Sequence, residues 1–178
     1  MNIVYIASSL DGFIARPDGD IDWLLNIPNE QMSDYGYEDF IKRIDCLVMG
    51  RKTFESVLLF DSWPYTKPVF VLSSKLKDLP VELNGKAEII KGNPKEVVDI
   101  LSARGYHDLY IDGGQKIQSF LKEDLIDEMI ITTVPIILGE GIPLFGNIKK
   151  LLRFKCKKVE LLSPYIIKHY YIREEKDW

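Results

Sequence analysis

The sequence predicts an α/β fold: a three-layer sandwich whose twisted, mixed and mostly parallel sheet carries helices on both faces and ends in an antiparallel hairpin. Up to about residue 121, short apolar runs typical of buried strands alternate with segments of helical periodicity, which is the pattern of a parallel sheet. From residue 128 the pattern changes. Residues 154–162 and 166–173 alternate as two paired strands do, and Ser163, Pro164 and Tyr165 would close the hairpin between them.

Short aliphatic runs bounded by turn residues predict the remaining strands. They cover residues 2–8, 46–49, 68–73, 87–90, 108–111 and 128–137. The first run continues through a turn at Asp11 and Gly12 into a short extension that ends near Ala15. Because strand and helix alternate along the chain, we expect most of these strands to lie parallel.

Capping residues mark the predicted helices. Asn93 and Pro94 predict a helix start, and Gly105 is placed to end that helix. Ser33 is the predicted N-cap of another helix, which runs to about residue 44 and has Asp34 in its first turn. Two further helices are expected from about residue 52 and over residues 115–121.

A long polar loop over residues 16–28 interrupts the alternation. It contains proline, glycine and several aspartates, and Trp23, Leu24 and Leu25 form an apolar group within it. Long loops of this kind are often lids over binding sites. We therefore expect Trp23 and its neighbours to close over a ligand.

Composition and length predict one soluble domain over residues 1–178, with 46% hydrophobic and 28% charged residues. No apolar run approaches the roughly 20 residues that cross a bilayer, and residues 1–6 lack the features of a targeting signal. We expect a cytoplasmic protein without a membrane partner. The formal net charge of -4 argues against a nucleic-acid partner, and we interpret the lysines of residues 149–158 as one solvated side of a strand.

Neither a disulfide nor a metal site is predicted. Cys46 and Cys156 are too few for a disulfide framework, and their apolar neighbours favour buried thiols. His107 and His169 have no partner at ligand spacing. The P-loop and Gly-x-Gly-x-x-Gly patterns are absent too, which argues against a nucleoside triphosphatase and a standard Rossmann site.

Three predicted strands end in residues that suit phosphate groups. Glycine lets a ligand approach the main chain, and hydroxyl and cationic side chains bind phosphate oxygens. These residues are Gly50, Arg51, Lys52 and Thr53 after one strand, Ser73, Ser74 and Lys75 after another, and Asp112, Gly113 and Gly114 at a third. In open α/β sheets ligands collect at this end of the strands, so the pattern predicts a dinucleotide site.

Several segments resemble two related groups of reductases. Residues 47–56 and 71–74 are similar to the nucleotide-binding segments of dihydrofolate reductase, and residues 6–15 to its first strand and nicotinamide loop. Residues 112–114 and 134–145 resemble the reductase domain of the bifunctional deaminase-reductase of riboflavin synthesis. The resemblance implies a dihydrofolate reductase-like fold, NADPH as hydride donor and often a homodimer. Since the zinc-binding deaminase part is missing, we expect a stand-alone reductase domain.

The matching motifs also imply where the ligands bind. Ala7 and Ile14 would lie near the nicotinamide, and Trp23, Leu138 and Gly139 near the substrate. The remaining implied cofactor residues are Gly50, Arg51, Lys52, Thr53, Gly113, Gly114, Gln115 and Lys116 at the pyrophosphate, and Ser73, Ser74 and Lys75 at the adenosine end.

The expected reaction is hydride transfer from NADPH to a pyrimidine- or pterin-like substrate, first of all 5-amino-6-(5-phosphoribosylamino)uracil. Such a reduction needs a proton, which a carboxyl group with a burial-raised pKa would supply. Asp34 is the first candidate and Glu38 the second, while Asp112 is expected to orient substrate or nicotinamide.

Two alternatives stay open. One is a dihydrofolate or other pteridine reductase, although that family's acid shortly after a Trp-x-x-Pro segment is missing after Trp23. The other is a non-catalytic NADP-binding dimeric module, which the same missing acid favours.

Overall fold

The computed structural model of the chain describes residues 1–27, 34–163 and 166–174. Its strands are β1 (Asn2–Ser9), β2 (Phe13–Ala15), β3 (Cys46–Gly50), β4 (Val69–Leu72), β5 (Ala87–Ile90), β6 (Leu109–Asp112), β7 (Glu128–Val134), β8 (Ile142–Pro143), β9 (Phe154–Ser163) and β10 (Ile166–Arg173). Its α-helices are α1 (Asp22–Leu25), α2 (Tyr37–Arg43), α3 (Arg51–Val57), α4 (Pro94–Ala103) and α5 (Gly114–Lys122), and a 3-10 helix covers Val81–Leu83.

Eight strands form one mixed sheet in the order β5-β4-β3-β6-β1-β7-β10-β9, while β2 and β8 form a small separate sheet. The strands from β5 to β7 are parallel. Only β10 reverses the direction, pairing antiparallel with both β7 and β9. This order confirms the predicted mixed, mostly parallel sheet with its carboxyl-terminal hairpin.

Helices cover both faces of the sheet, each over its own hydrophobic cluster. On one face, α4 and α5 pack against the strands through Val97, Leu101, Ile117, Phe120 and Leu121. The opposite face, called the aromatic face below, is formed by Phe40 of α2, Phe54 of α3, Tyr110 and the adjoining Tyr5, Tyr37, Trp63 and Tyr65. The two clusters confirm the three predicted layers.

The predicted start of α2 is wrong. Ser33 itself lies outside the described residues, but the helix begins only at Tyr37, with Gly36 as its N-cap. Tyr35 and Gly36 have φ angles of 53° and 82°, and a right-handed helix cannot include such residues. Asp34 therefore precedes the helix, and its carboxylate accepts the backbone N–H groups of Gly36 and Glu38 at 2.9 and 2.7 Å.

Two smaller expectations also fail. Strand β7 ends at Val134 and not at residue 137, because Pro135 has no N–H to continue the ladder. Cys46 is buried as expected, but Cys156 is exposed, since it lies on the edge strand β9. The turn at residues 164–165 lies outside the described residues, although both strands of the hairpin form. No helix in the described ranges has the length and apolar character to span a bilayer.

Candidate active site

The carboxyl ends of β3 and β6 meet at the middle of the sheet. These strands are neighbours, and Met49 pairs with Asp112 at their last described register position. A Cβ atom built on Gly113 would lie 2.2 Å from Oγ1 of Thr53, and one on Gly50 would lie 3.1 Å from Cε of Lys116. The two predicted phosphate motifs are therefore packed against one another.

Gly113 and Gly114 are needed for this packing. Gly113 has a φ of 88°, which favours glycine, and it caps the start of α5. A Cβ on Gly114 would approach Cδ1 of Ile14 to 2.6 Å. Ile14, which the resemblance assigns to the nicotinamide, thus lies against the same turn.

The junction carries cationic and N–H donors that suit an anion. The first N–H groups of α5 have no partner within their own helix, and no acidic residue lies in its first turn. Lys116 is partly buried beside Gly50, and this burial lowers the pKa of its ammonium group. Arg51 forms an ion pair with Glu55 at 2.7 Å, while Lys52 is exposed.

The predicted adenosine-end residues are not part of this junction. They follow β4, one strand further along the sheet. Ser73 is buried, and its hydroxyl accepts the backbone N–H groups of Lys75 and Leu76 at 3.2 and 3.1 Å. The hydroxyl therefore closes its own turn, whereas Ser74 and Lys75 are exposed.

Asp11 joins two loops at the other side of the junction, a role that the sequence analysis missed. Its carboxylate accepts the Ser9 hydroxyl at 2.6 Å and the N–H groups of Leu138 and Gly139 at 3.1 and 2.8 Å. The bond from Ser9, followed by the two backbone bonds, lowers the pKa of Asp11. The only signal in the sequence was an Asp-Gly pair, which is equally typical of a plain turn.

Pairing of β2 with β8 strengthens this connection. Phe13 pairs with Pro143, and the Leu144 N–H donates to the Gly12 carbonyl oxygen at 2.9 Å. The structure thus holds the segment of Leu138 and Gly139 beside the loop that follows β1.

Asp112 places a carboxyl group on the aromatic face. It lies two residues after Tyr110 in β6, so both side chains point to the same side of the sheet. Burial raises the pKa of Asp112 to about 6, and the bond from the Gly113 N–H opposes this rise. Burial, together with the nearby Asp112, raises the pKa of Tyr37 to about 12. Asp112 is therefore half protonated near pH 6, well above the range of an ordinary aspartate.

Asp34 and Glu38 do not share this environment. Asp34 is exposed, and the N–H groups of Glu38 and Gly36 lower its pKa, which is the opposite of the predicted proton donor's property. Glu38 is exposed on α2. Among the three predicted acids, Asp112 alone has the burial that the prediction required.

Trp23 lies in the short helix α1 within the predicted lid. Its side chain is buried, and its indole N–H has no hydrogen-bond partner in the described part of the chain. The structure shows no contact that links Trp23 to Asp112.

A concavity of about 680 Å³ lies at the opposite end of the sheet and contains none of the predicted residues. It is lined by Met1, Asp124, Asp127, Glu128, Ile172, Arg173 and Glu174. The Arg173 guanidinium is already paired with Asp124 at 2.7 Å. Residues 1–27, 34–163 and 166–174 contain no group of His, Cys, Asp and Glu that could hold a metal ion.

Comparison with known proteins identifies close relatives. The model of the RibD C-terminal domain family matches residues 2–168. A crystal structure from Shewanella sp. PV-4, of a protein provisionally assigned to riboflavin biosynthesis, is 47% identical in sequence. The match covers 98% of this chain and 99% of that chain, with a TM-score of 0.94.

Two more distant structures share the fold. The diaminohydroxyphosphoribosylaminopyrimidine deaminase/5-amino-6-(5-phosphoribosylamino)uracil reductase of Thermotoga maritima has a TM-score of 0.75 at 16% identity; the match covers 98% of this chain and 56% of that one. Dihydrofolate reductase from Enterococcus faecalis, complexed with NADP(H) and RAB-propyl, has a TM-score of 0.67 at 16% identity, over 98% and 97% of the two chains. These likenesses confirm the predicted dihydrofolate reductase-like fold.

Proposed function

The chain belongs to the RibD C-terminal domain family, and from this we propose that it is an NADPH-dependent reductase of a pyrimidine-like substrate. The junction of Gly50, Thr53, Gly113 and Lys116 is the observation that carries the proposal. It combines close main-chain approach, a helix N-terminus and a lysine at one point, as a pyrophosphate requires.

The residues of the junction fit NADPH. A side chain on Gly113 would displace the Thr53 hydroxyl, whereas a Cβ atom on Gly50 would require only a small shift of the Lys116 side chain. Bound NADPH would supply the hydride. The residues proposed to hold it are Gly50, Arg51, Lys52, Thr53, Gly113, Gly114, Gln115 and Lys116 at the pyrophosphate, Ala7 and Ile14 at the nicotinamide, and Ser74 and Lys75 at the adenosine end.

Asp112 is the proposed source of the proton. A general acid works best when its pKa lies near the working pH, and the pKa of about 6 at Asp112 meets this condition. Trp23, Leu138 and Gly139 would border the substrate on the side of the loops.

The proposed substrate is 5-amino-6-(5-phosphoribosylamino)uracil or a close analogue. The reductase domain of the Thermotoga maritima protein acts on this compound by name, and the present chain shares its fold. A pteridine reductase is less well supported, because the acid that dihydrofolate reductases carry shortly after a Trp-x-x-Pro segment is missing after Trp23.

Turnover of NADPH tests the proposal. Purified protein is mixed with NADPH and with either the phosphoribosylaminouracil or dihydrofolate, and nicotinamide absorbance is followed. Oxidation with the uracil compound is expected. Oxidation with dihydrofolate alone would identify a pteridine reductase. Binding of NADPH without turnover on either compound would identify a non-catalytic module.

We also propose that the protein is a homodimer. Light scattering, which measures the molar mass in solution, tests this.

A further inference from the structure

Lys168 is a buried lysine that the proposed reaction does not yet use. It belongs to β10 and is only 1% exposed. In register it pairs with Thr132 of β7, which in turn pairs with Ala7 of β1. Lys168, Thr132 and Ala7 lie two residues from Tyr170, Ile130 and Tyr5, respectively. Those three residues belong to the hydrophobic cluster of the aromatic face or pack against it. Because side chains two apart in a strand point to the same side, the first three also point to the aromatic face.

The ammonium group of Lys168 has only neutral hydrogen-bond partners in the described part of the chain. It donates to the Tyr5 hydroxyl at 2.9 Å and to the Tyr35 carbonyl oxygen. The Tyr5 hydroxyl donates to the same carbonyl oxygen at 3.0 Å, and the ammonium lies 4.9 Å from the centre of the Tyr5 ring. An ammonium has three N–H donors, and these contacts use two of them.

Neighbouring carboxylates are engaged elsewhere. Glu160 pairs with Lys168 in register across β9 and β10, but its carboxylate binds the Lys158 ammonium and the Tyr170 hydroxyl. Asp34, as described, accepts two backbone N–H groups. No carboxylate of residues 1–27, 34–163 or 166–174 lies within 4.0 Å of the Lys168 ammonium.

A buried cation whose hydrogen-bond partners are all neutral is costly, even though the Glu160 and Asp34 carboxylates act on Lys168 from beyond ion-pair distance. The surroundings of the Lys168 ammonium indicate where a ligand could bind and offset that cost. A Cβ atom on Gly36 would lie 3.6 Å from the Lys168 ammonium, so the charge borders the start of α2. Thr132, which lies between Lys168 and Ala7 in the sheet, is a second buried polar residue on this face.

We propose that Lys168, through the third N–H donor of its ammonium group, binds a carbonyl oxygen of the substrate ring and selects pyrimidinediones over amino-substituted pyrimidines. This inference rests on the proposed function, because it assumes that the substrate occupies the aromatic face beside Ala7. An ammonium can donate but cannot accept, so it binds a carbonyl oxygen and repels an amino group at the same ring position.

A matched pair of ring compounds tests the selection. 6-Aminouracil and 2,4,6-triaminopyrimidine have the same ring, but the second has amino groups in place of both oxygens. Each is titrated by calorimetry into the NADP+-saturated protein. We expect wild type to bind 6-aminouracil at least tenfold more tightly. Preference of wild type for the triamino ring, or no preference, would overturn the inference.

Variants then assign the preference to one lysine. Lys168→Met is expected to lower the affinity for 6-aminouracil about tenfold, equal to about 1.4 kcal/mol. Lys158→Met is the matched control, because that lysine lies on the same sheet but is paired with Glu160 and largely exposed. It is expected to bind within twofold of wild type. An unchanged preference in Lys168→Met would overturn the assignment.

Thermal unfolding separates a binding role from a structural one. Methionine has a similar length, and removal of the buried charge is expected to offset the loss of its two hydrogen bonds, so the midpoint temperature should change little. If Lys168→Met does not fold, Lys168→Gln supplies the second neutral variant. Failure of both to fold would assign Lys168 a structural role and overturn the inference.

The ring-binding assay and the hydride-transfer assay test separate claims, and either claim can be rejected without the other. If no compound is reduced but Lys168 still sets the ring preference, the binding site stands and the reductase proposal falls. If NADPH is oxidised and Lys168→Met shows wild-type ring preference, the reductase stands and the role of Lys168 falls.

Discussion

The Asp112 carboxyl group connects burial with chemistry at the residue scale. Its pKa of about 6 means that the protonated form decreases tenfold for each pH unit above that value. We predict that kcat/KM of the wild type falls above pH 6 in this way. Asp112→Asn should lower kcat/KM about 100-fold, within the usual range for loss of a general acid, and should remove the inflection.

Asp34→Asn is the control for this prediction. Its carboxylate is exposed and has a lowered pKa, so the inflection near pH 6 should remain in that variant. An inflection that persists in Asp112→Asn, or one that disappears in Asp34→Asn, would contradict the assignment.

The same carboxyl group also affects stability. Its pKa is higher in the folded state than the ordinary value of 3.8, so the folded protein holds this proton more tightly than the unfolded chain. The group's contribution to the free energy of unfolding is therefore present below about pH 4 and is lost as pH rises through 6. Asp112→Asn should not lose stability in this way between pH 4 and pH 6. Urea unfolding of wild type and variant at the two pH values measures the difference.

Gly113 shows how a single missing Cβ atom shapes the junction. We predict that Gly113→Ala destabilises the protein by about 2 kcal/mol or more, because a positive φ costs about 1 kcal/mol and the contact with Thr53 adds to it. It should also weaken NADPH binding. Denaturant unfolding and cofactor titration measure the two effects.

Gly85→Ala is the matched control. Gly85 has a φ of 76°, but a Cβ atom there would meet nothing within 4 Å. This variant should lose only the backbone contribution of about 1 kcal/mol and bind NADPH normally. Equal destabilisation of the two variants would show that crowding at Thr53 is unimportant.

At the scale of elements, Asp11 couples β1 to the segment after β7. We predict that Asp11→Ala raises KM for NADPH or substrate severalfold, because the N–H groups of Leu138 and Gly139 lose their acceptor. Hydrogen exchange of these two amides should become faster. Asp18→Ala is the control, since Asp18 accepts only the Asp20 N–H in the next loop; wild-type exchange in Asp11→Ala would reject the coupling.

Elements with a local physical signature were predicted well from the sequence. The capping box of Asn93 and Glu96 fixes the start of α4, and β9 and β10 follow their alternation. The start of α2 was missed because Tyr35, a residue other than glycine, has a positive φ, and its carbonyl oxygen accepts from the distant Lys168, a contact that no local pattern shows. β8 was missed since two residues carry no periodicity.

The residues of the candidate site were likewise predicted where they follow a sequence pattern and missed where they do not. Glycine and hydroxyl residues at strand ends have a recognisable pattern, and the structure brings those of β3 and β6 together. Lys168 had no such pattern, because a lysine in an alternating hairpin strand is typical of the side that faces solvent. Its burial results from packing against Tyr5 and Tyr35, which lie more than 130 residues earlier in the chain.

At the scale of the whole molecule, the proposed cofactor site joins segments from β1, β3 and β6. A ligand that binds only when these segments are assembled should stabilise the entire fold by mass action. NADPH at 100 times its Kd should add about 2.7 kcal/mol. For a chain of this size this corresponds to a rise of roughly 5–10 °C in Tm.

Arg51→Ala tests whether the phosphates are bound where the site predicts. The ion pair of Arg51 with Glu55 is partly exposed, so its loss should barely change Tm without ligand. A tenfold loss of NADPH affinity should halve the ligand-induced rise. Arg104→Ala removes a similar ion pair, with Glu88 of the edge strand β5, where no cofactor residue is proposed, and should keep the full rise. Equal rises in both variants, measured by differential scanning fluorimetry, would place the cofactor away from α3.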